Sequence, residues 1–383
     1  MNRDDRHAVT ADHVFDGATR HDNAAVIIEG SKIKGVLPQS GLPATLAARH
    51  LPAGAWLAPG FIDLQVNGGG DVLFNNSPTA ETIETIAAAH RKYGTTAFLP
   101  TFITDTREKM RAALAAVQAV AETDPSVLGI HLEGPFLSPE KAGVHDPHLM
   151  RMPDEADVEI LCGKFTGQML VTLAPERVPK GFIAKLTGAG RRVSLGHSMA
   201  TYEETCSAMA EGLSGFTHLF NAMRPIASRE PGPIAAALES PAASYGLIAD
   251  GWHVSPALLR LAVRGCGNPM LVTDAMPPVG GSKPSFQLYG TEIRVEAGRC
   301  LRADGTLAGA ALDMATAVRN CVTLLQVSLS EALRFASWNP ANFIGFGHML
   351  GRLAPGYRAD MVAIDPKEIT ALRTWVAGRE AMS

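Results

Sequence analysis

Eight short apolar runs recur through the middle of this 383-residue chain, and nearly every one ends in a polar or ionisable side chain. The runs centre on Phe61-Ile62, Ala97-Phe98-Leu99, Leu128-Gly129-Ile130, Leu170-Val171, Val193-Ser194-Leu195, Gly215-Phe216-Thr217, Gly246-Leu247-Ile248 and Leu271-Val272. Continuous apolar runs are the signature of parallel strands buried on both faces. The stretches between them have helical character. After the first run, Ser77 is the predicted N-cap and Pro78 takes the first helical position, where its missing N–H costs nothing. Ile83, Ile86 and Ala87 then share one face, and Gly94 supplies the stop. Eight strands alternating with helices over about 285 residues fit a (β/α)8 barrel, with a doubly wound parallel sheet as the competitor.

The two ends read differently. Val26-Ile27-Ile28, the turn Glu29-Gly30-Ser31-Lys32 and the return from Ile33 to Leu37 make a hairpin. Near the other end the turn Arg352-Leu353-Ala354-Pro355-Gly356 precedes a strand from Asp360 to Asp365. The expected architecture is therefore an α/β chain: a TIM-type barrel over residues 58–344, and a small β-sandwich built from residues 1–57 and 345–383.

Composition narrows the partners. The formal net charge is −4, which argues against nucleic acid or an anionic membrane surface, both of which demand clustered positive charge. A small anionic ligand needs only one or two local cations. The five cysteines are odd in number and scattered, so free thiols in a reducing compartment are expected. Met1 to Arg6 is polar and lacks the apolar stretch of a secretory signal, and no uncharged apolar window reaches 18 residues. The expected location is the cytoplasm.

The sharper signal lies just beyond each run. Asp63, Gln65 and Asn67 follow the first, Thr101 the second, His131 and Glu133 the third, and Thr172 the fourth. His197 follows the fifth, His218 the sixth, Asp250 and His253 the seventh, and Asp274 the eighth. In a barrel these strand ends meet at the C-terminal face, where such folds keep their chemistry. A single histidine is more often structural, and His7, His13, His21, His50, His90, His148 and His348 take that reading. Agreement among separate strands is different. Glu133, His197 and His218 compose a His2Glu set, a recurrent catalytic zinc shell with one position open. A divalent ion there lowers the pKa of water and polarises a carbonyl, and a neighbouring carboxylate can move the proton. Asp274, closing an otherwise apolar strand, is that carboxylate. Metal-assisted hydrolysis of an amide or ester follows. Arg229, in the loop after the sixth run, either clamps an anion or forms a surface ion pair with Glu230.

Five segments carry a family resemblance: Pro59-Gly60-Phe61-Ile62-Asp63, His131-Leu132-Glu133-Gly134-Pro135-Phe136, Gly196-His197-Ser198, Thr217-His218-Leu219-Phe220-Asn221-Ala222-Met223 and Val272-Thr273-Asp274-Ala275. They resemble the N-acetylglucosamine-6-phosphate deacetylase family of the amidohydrolase superfamily, and the likeness runs on to Pro355-Gly356-Tyr357-Arg358-Ala359-Asp360. The resemblance implies that Glu133, His197 and His218 hold the metal and that Asp274 is the general base, then acid. His145 would help polarise the acetyl carbonyl. Val144, His145, Asn221, the backbone at Ala222, Arg229 and His253 would bind the sugar phosphate, with Ala311, Leu312 and Asp313 closing over the acetyl end. It also implies a homodimer that converts N-acetyl-D-glucosamine 6-phosphate to D-glucosamine 6-phosphate and acetate, in amino-sugar catabolism or cell-wall recycling.

One departure matters. Many amidohydrolases carry His-x-His after the first strand, whereas this chain has Gln65-Val66-Asn67, whose neutral amides are poor ligands. One tightly bound ion is expected, Zn2+ first, with Fe2+, Co2+ and Mn2+ fitting the same ligands. The missing pair also disfavours a hydantoinase-like or dihydroorotase-like enzyme. An inactive sugar-phosphate sensor is disfavoured because every proposed ligand and Asp274 are present.

Overall fold

The structure, a computed structural model, describes residues 6–381. Eight parallel strands form its centre: Phe61–Val66, Thr95–Ile103, Gly129–Glu133, Gln168–Leu173, Arg192–Leu195, Gly215–Phe216, Ser244–Ile248 and Asn268–Val272. Each overlaps one of the apolar runs, and their order in the sheet follows the chain from first to eighth. The first and second strands are buried at every position, which is why they read as largely apolar stretches even though the first carries Asp63 and Gln65. The eighth strand returns to the first. Val66 bridges Ala275, whose carbonyl accepts from the Asn67 and Gly68 N–H groups at 2.9 Å each. That contact closes the barrel and excludes a doubly wound sheet.

A helix follows each strand: Ala80–Arg91, Arg107–Ala121, Glu155–Cys162, Phe182–Gly188, Tyr202–Ala210, Gly232–Glu239, Pro256–Ala262 and Met314–Leu325. The first shows how sequence sets the boundaries. Its N-cap is Thr79 rather than Ser77: the Thr79 hydroxyl accepts from the Thr82 N–H, whereas Ser77 is engaged in the preceding turn through Leu73 and Thr79. Pro78 therefore sits before the cap. Ile83, Ile86 and Ala87 are buried on one face as the spacing predicts. Gly94 turns the chain into strand two at φ +88°, where a Cβ would lie 2.8 Å from the Phe61 ring and from Val362.

Two additions surround the barrel. Strands from both termini form one eight-stranded sheet, and Trp56–Pro59 pairs with Arg6–Phe15 on one side and Met361–Asp365 on the other. Its side chains share a core that includes Val9, Val26, Ile28, Leu57, Met361 and Trp375. The second addition had no counterpart in the sequence reading. Between the eighth strand and the helix Met314–Leu325, four antiparallel strands (Ser285–Leu288, Thr291–Glu296, Arg299–Leu301 and Leu307–Ala310) form a small sheet. Its core joins Leu288, Ile293, Cys300 and Ala308 to Leu73, Ile103 and Met276 from the barrel mouth. Among the described residues, no helix is long and apolar enough to cross a membrane.

The entry to strand three is a tight point. Gly129 has φ +147°, and a Cβ there would lie 1.8 Å from the Gln168 carbonyl oxygen of strand four. Gly129→Ala is expected to cost about 3 kcal/mol, through both strain and strand separation. Urea unfolding measures this, and a loss under about 1 kcal/mol would mean that strands three and four part easily.

Candidate active site

Three ligand-type side chains converge at the C-terminal mouth. Glu133 ends strand three, and His197 and His218 each lie two residues beyond strands five and six. Glu133 Oε1 is 3.1 Å from His197 Nε2 and 3.0 Å from His218 Nε2, and the two nitrogens are 3.1 Å apart. All three residues are buried. The Lys141 carbonyl, 2.7 Å from His197 Nδ1, accepts that nitrogen's N–H and directs Nε2 at the other two groups. Two imidazoles bound at about 2.05 Å in a tetrahedron would stand about 3.3 Å apart, close to the observed spacing. The donor set fits a divalent metal. Burial alone would raise the Glu133 pKa, but hydrogen bonds from His197 and His218 hold it well below the usual carboxylate range.

Asp274 stands beside this cluster, two residues past strand eight. Its Oδ1 accepts from Asn67 Nδ2 at 2.7 Å and from Gln65 Nε2 at 3.2 Å. The same Gln65 nitrogen donates to Glu133 Oε2 at 3.1 Å, so one amide spans both carboxylates. Removal from bulk water, and secondarily the Glu133 charge, push Asp274 up to about 6. His197, His218 and Asp274 all have left-handed backbones, with φ of 48°, 34° and 50°.

Two further histidines face the same cavity, which measures about 200 Å3. His145 is buried, with its ring centroid 4.4 Å from that of His197, and its Nδ1 is 2.8 Å from the Thr104 hydroxyl. Burial first, and the nearby His197 second, hold its pKa well below the usual imidazole value, so it is neutral. His253 Nδ1 lies 2.6 Å from Asp250 Oδ2. Beneath the cluster, His131 is lowered to about 4, chiefly by burial, and its nitrogens contact the Thr101 and Thr172 hydroxyls.

The cavity wall brings together Glu133, His197, His218, Asp274, Val144, His145, Asn221, Ala222 and His253. Arg229 lies exposed in the loop after strand six, outside that wall. Glu230 accepts from the Tyr202 and Gly232 N–H groups, and no Arg229–Glu230 ion pair occurs among the described residues. Ala311, Leu312 and Asp313 also lie outside the wall: Ala311 and Leu312 pack into neighbouring cores, and Asp313 caps the helix Met314–Leu325. From that region the wall takes Thr306, Leu307 and Gly309, which the sequence reading missed. The hairpin turns of that sheet fall at Tyr289-Gly290 and Ala297-Gly298. Both residues of each pair have positive φ, the geometry of two-residue hairpin turns.

The barrel and its cluster define the class, a metal-dependent hydrolase. The chain belongs to the amidohydrolase family, which matches residues 56–382. It is 43% identical over 350 residues to the N-acetylgalactosamine-6-phosphate deacetylase of Shewanella sp. (strain ANA-3), covering 88% of each chain. It is 37% identical to the N-acetylglucosamine-6-phosphate deacetylase of Haemophilus influenzae, covering 89% of this chain and 91% of that one. Its fold is similar to the crystal structure of N-acetylglucosamine-6-phosphate deacetylase from Pasteurella multocida, with TM-score 0.94, 35% identity and coverage of 99% and 100%.

Loss of the cluster should be visible without any substrate. Glu133→Ala is expected to lower metal retained after dialysis from about one equivalent to under a tenth, because removing a ligand also unbalances the two imidazoles. Added metal should then no longer raise the melting temperature. Full metal content in the variant would place the ion elsewhere.

Proposed function

We propose that this amidohydrolase cleaves the acetamide of N-acetyl-D-glucosamine 6-phosphate, giving D-glucosamine 6-phosphate and acetate, in amino-sugar catabolism or cell-wall recycling. The observation that carries the reading is end-to-end similarity to hexosamine-6-phosphate deacetylases, together with the Glu133, His197, His218 and Asp274 constellation at one barrel mouth. One divalent ion per subunit, Zn2+ foremost and Fe2+, Co2+ or Mn2+ with the same donors, would supply Lewis acidity to the acetyl carbonyl and to water.

The remaining work falls to side chains. Asp274 takes a proton from the attacking water and returns it to the departing nitrogen as the C–N bond breaks. Burial raises its affinity for that proton above that of a free carboxylate. His145, kept neutral, can present Nε2–H to the acetyl oxygen while Nδ1 accepts from Thr104, which steadies the charge that develops there. Asn221, the backbone at Ala222, Val144 and His253 line the sugar's cavity. Arg229, an exposed guanidinium beyond its rim, is the cation we assign to the phosphate. Ala311, Leu312 and Asp313 anchor the sheet and helix that border the acetyl end.

We assign a cytoplasmic homodimer. All five cysteines are free thiols, and the segments after strands six and seven expose Ile226, Trp252, Leu258 and Leu261. A second reading of the substrate has its own support: the 43% identical relative is named for N-acetylgalactosamine 6-phosphate.

Acetate release from the two 6-phosphates and from unphosphorylated N-acetylglucosamine separates these readings. Rapid release from the glucosamine derivative is expected, preference for the galactosamine derivative would establish the second reading, and release from neither would sink both. Asp274→Asn should lose at least about 1,000-fold in kcat while keeping its metal, since the amide cannot carry the proton. Arg229→Ala should raise KM for the phosphorylated sugar at least about tenfold and leave the unphosphorylated one unchanged. Equal losses on both would place the phosphate elsewhere.

A further inference from the structure

Strand one carries a carboxylate that the proposed chemistry does not use. Asp63 is 0% exposed inside the barrel and does not line the substrate cavity. Oδ1 accepts from the backbone N–H groups of Gln65 and Thr273, each at 3.2 Å, and Oδ2 accepts from the Thr273 hydroxyl at 2.5 Å. The Thr273 hydroxyl in turn accepts from the Ala275 N–H at 3.2 Å. Three donors thus meet two oxygens of one side chain. A carboxylate satisfies them all, whereas the asparagine amide has a single acceptor oxygen.

The location gives these contacts their weight. Strands one and eight meet through the single Val66–Ala275 bridge, while the other neighbouring strands share ladders of two or more paired residues. At this thin seam the Asp63 carboxylate joins the two strands by side-chain hydrogen bonds. Asp274 lies at the same seam, flanked by the two residues that Asp63 anchors: Thr273 directly, and Ala275 through the Thr273 hydroxyl. Its own φ of +50° is a conformation that needs such flanking support. On the opposite strand, Asp63 fixes the backbone of Gln65, whose amide reaches both Glu133 and Asp274.

We propose that Asp63 is a positioning residue: through Thr273 and the Gln65 backbone it aims the Asp274 carboxylate, and so governs the rate of proton transfer rather than the binding of metal or substrate. The proposal rests on the reading of Asp274 as the proton carrier.

Four variants test it in the metal-loaded protein: Asp63→Asn, Thr273→Val, Thr273→Ser and the Asp63→Asn/Thr273→Val pair. Asp63→Asn and Thr273→Val are expected to lower kcat about 10- to 100-fold, with KM within about twofold and metal stoichiometry unchanged. Thr273→Ser keeps the hydroxyl and should restore kcat to within about threefold of the parent. The double variant should be no slower than its slower single, because both changes break one contact. If Asp63→Asn does not fold, the Thr273→Val and Thr273→Ser comparison decides alone. Unchanged kcat per metal-loaded folded molecule, equal losses in the Ser and Val variants, or multiplying losses in the double would each overturn the proposal. An unmodified protein that releases no acetate from either hexosamine phosphate would instead sink the reading of the reaction.

Discussion

Three carboxylates, Asp63, Glu133 and Asp274, are gathered under the mouth of an otherwise apolar barrel, and much of the site's design answers the cost of putting them there. A buried carboxylate without donors would neutralise itself. Each has a different compensation. Glu133 has two imidazoles and the Gln65 amide, and ends well below the usual range. Asp63 has two backbone N–H groups and the Thr273 hydroxyl, yet burial still pushes it up to about 7. Asp274 has two amides against the repulsion of Glu133, and settles at about 6. The same low-dielectric surroundings keep His145 and His131 neutral. One constraint thus sorts the titratable groups into a firm anion, two carboxylates raised toward neutrality and uncharged imidazoles.

Holding those groups costs backbone conformation as well. His197, His218 and Asp274 are all left-handed, each at an expense of about 1 kcal/mol or more. All three leave a strand within two residues of its end, and the left-handed turn directs the side chain into the mouth rather than along the strand. Compensation comes from cross-loop bonds: Ser198 N–H to the Ala222 carbonyl, Arg224 N–H to the Ser198 carbonyl, and Ala310 N–H to the Asp274 carbonyl. The last of these ties the strand-eight turn to the small inserted sheet. That sheet therefore both walls the cavity and supports the residue assigned to proton transfer.

How much of this was legible follows from range. The eight strands were readable because burial on both faces makes them continuous apolar runs, and Glu133, His197, His218 and Asp274 stood out as polar residues at their ends. The N-cap was displaced from Ser77 to Thr79 because two hydroxyl residues compete locally and only the fold commits Ser77 to a turn. The inserted sheet escaped notice because its short, half-exposed strands, such as Thr291–Glu296, lack a continuous apolar run. Thr306, Leu307 and Gly309 could not be found from spacing, since they reach the cavity only after that sheet folds back over the barrel. Gln65 and Asn67 were readable as poor ligands, but their bonds to Glu133 and Asp274 connect residues far apart in the chain.

Those two amides carry the remaining step. In an acidic mouth, the repulsion between Glu133 and Asp274 can be offset by a second cation or by neutral donors. A second cation would lower the Asp274 pKa further than a single bound ion does, because each positive charge beside a carboxylate favours its ionised form. Amides stabilise the anion less, through partial charges, and leave the carboxylate more basic than a second cation would. Gln65-Val66-Asn67 takes the second course: Asn67 donates to Asp274 at 2.7 Å, and Gln65 divides its two protons between the carboxylates. A residue that must first accept a proton and then give it up is served better by that arrangement. The loss of a His-x-His pair is therefore coherent with Asp274 working beside a single ion, and it gives Asp63 its importance, because amide donors orient a carboxylate only if the strands that bear them stay in register.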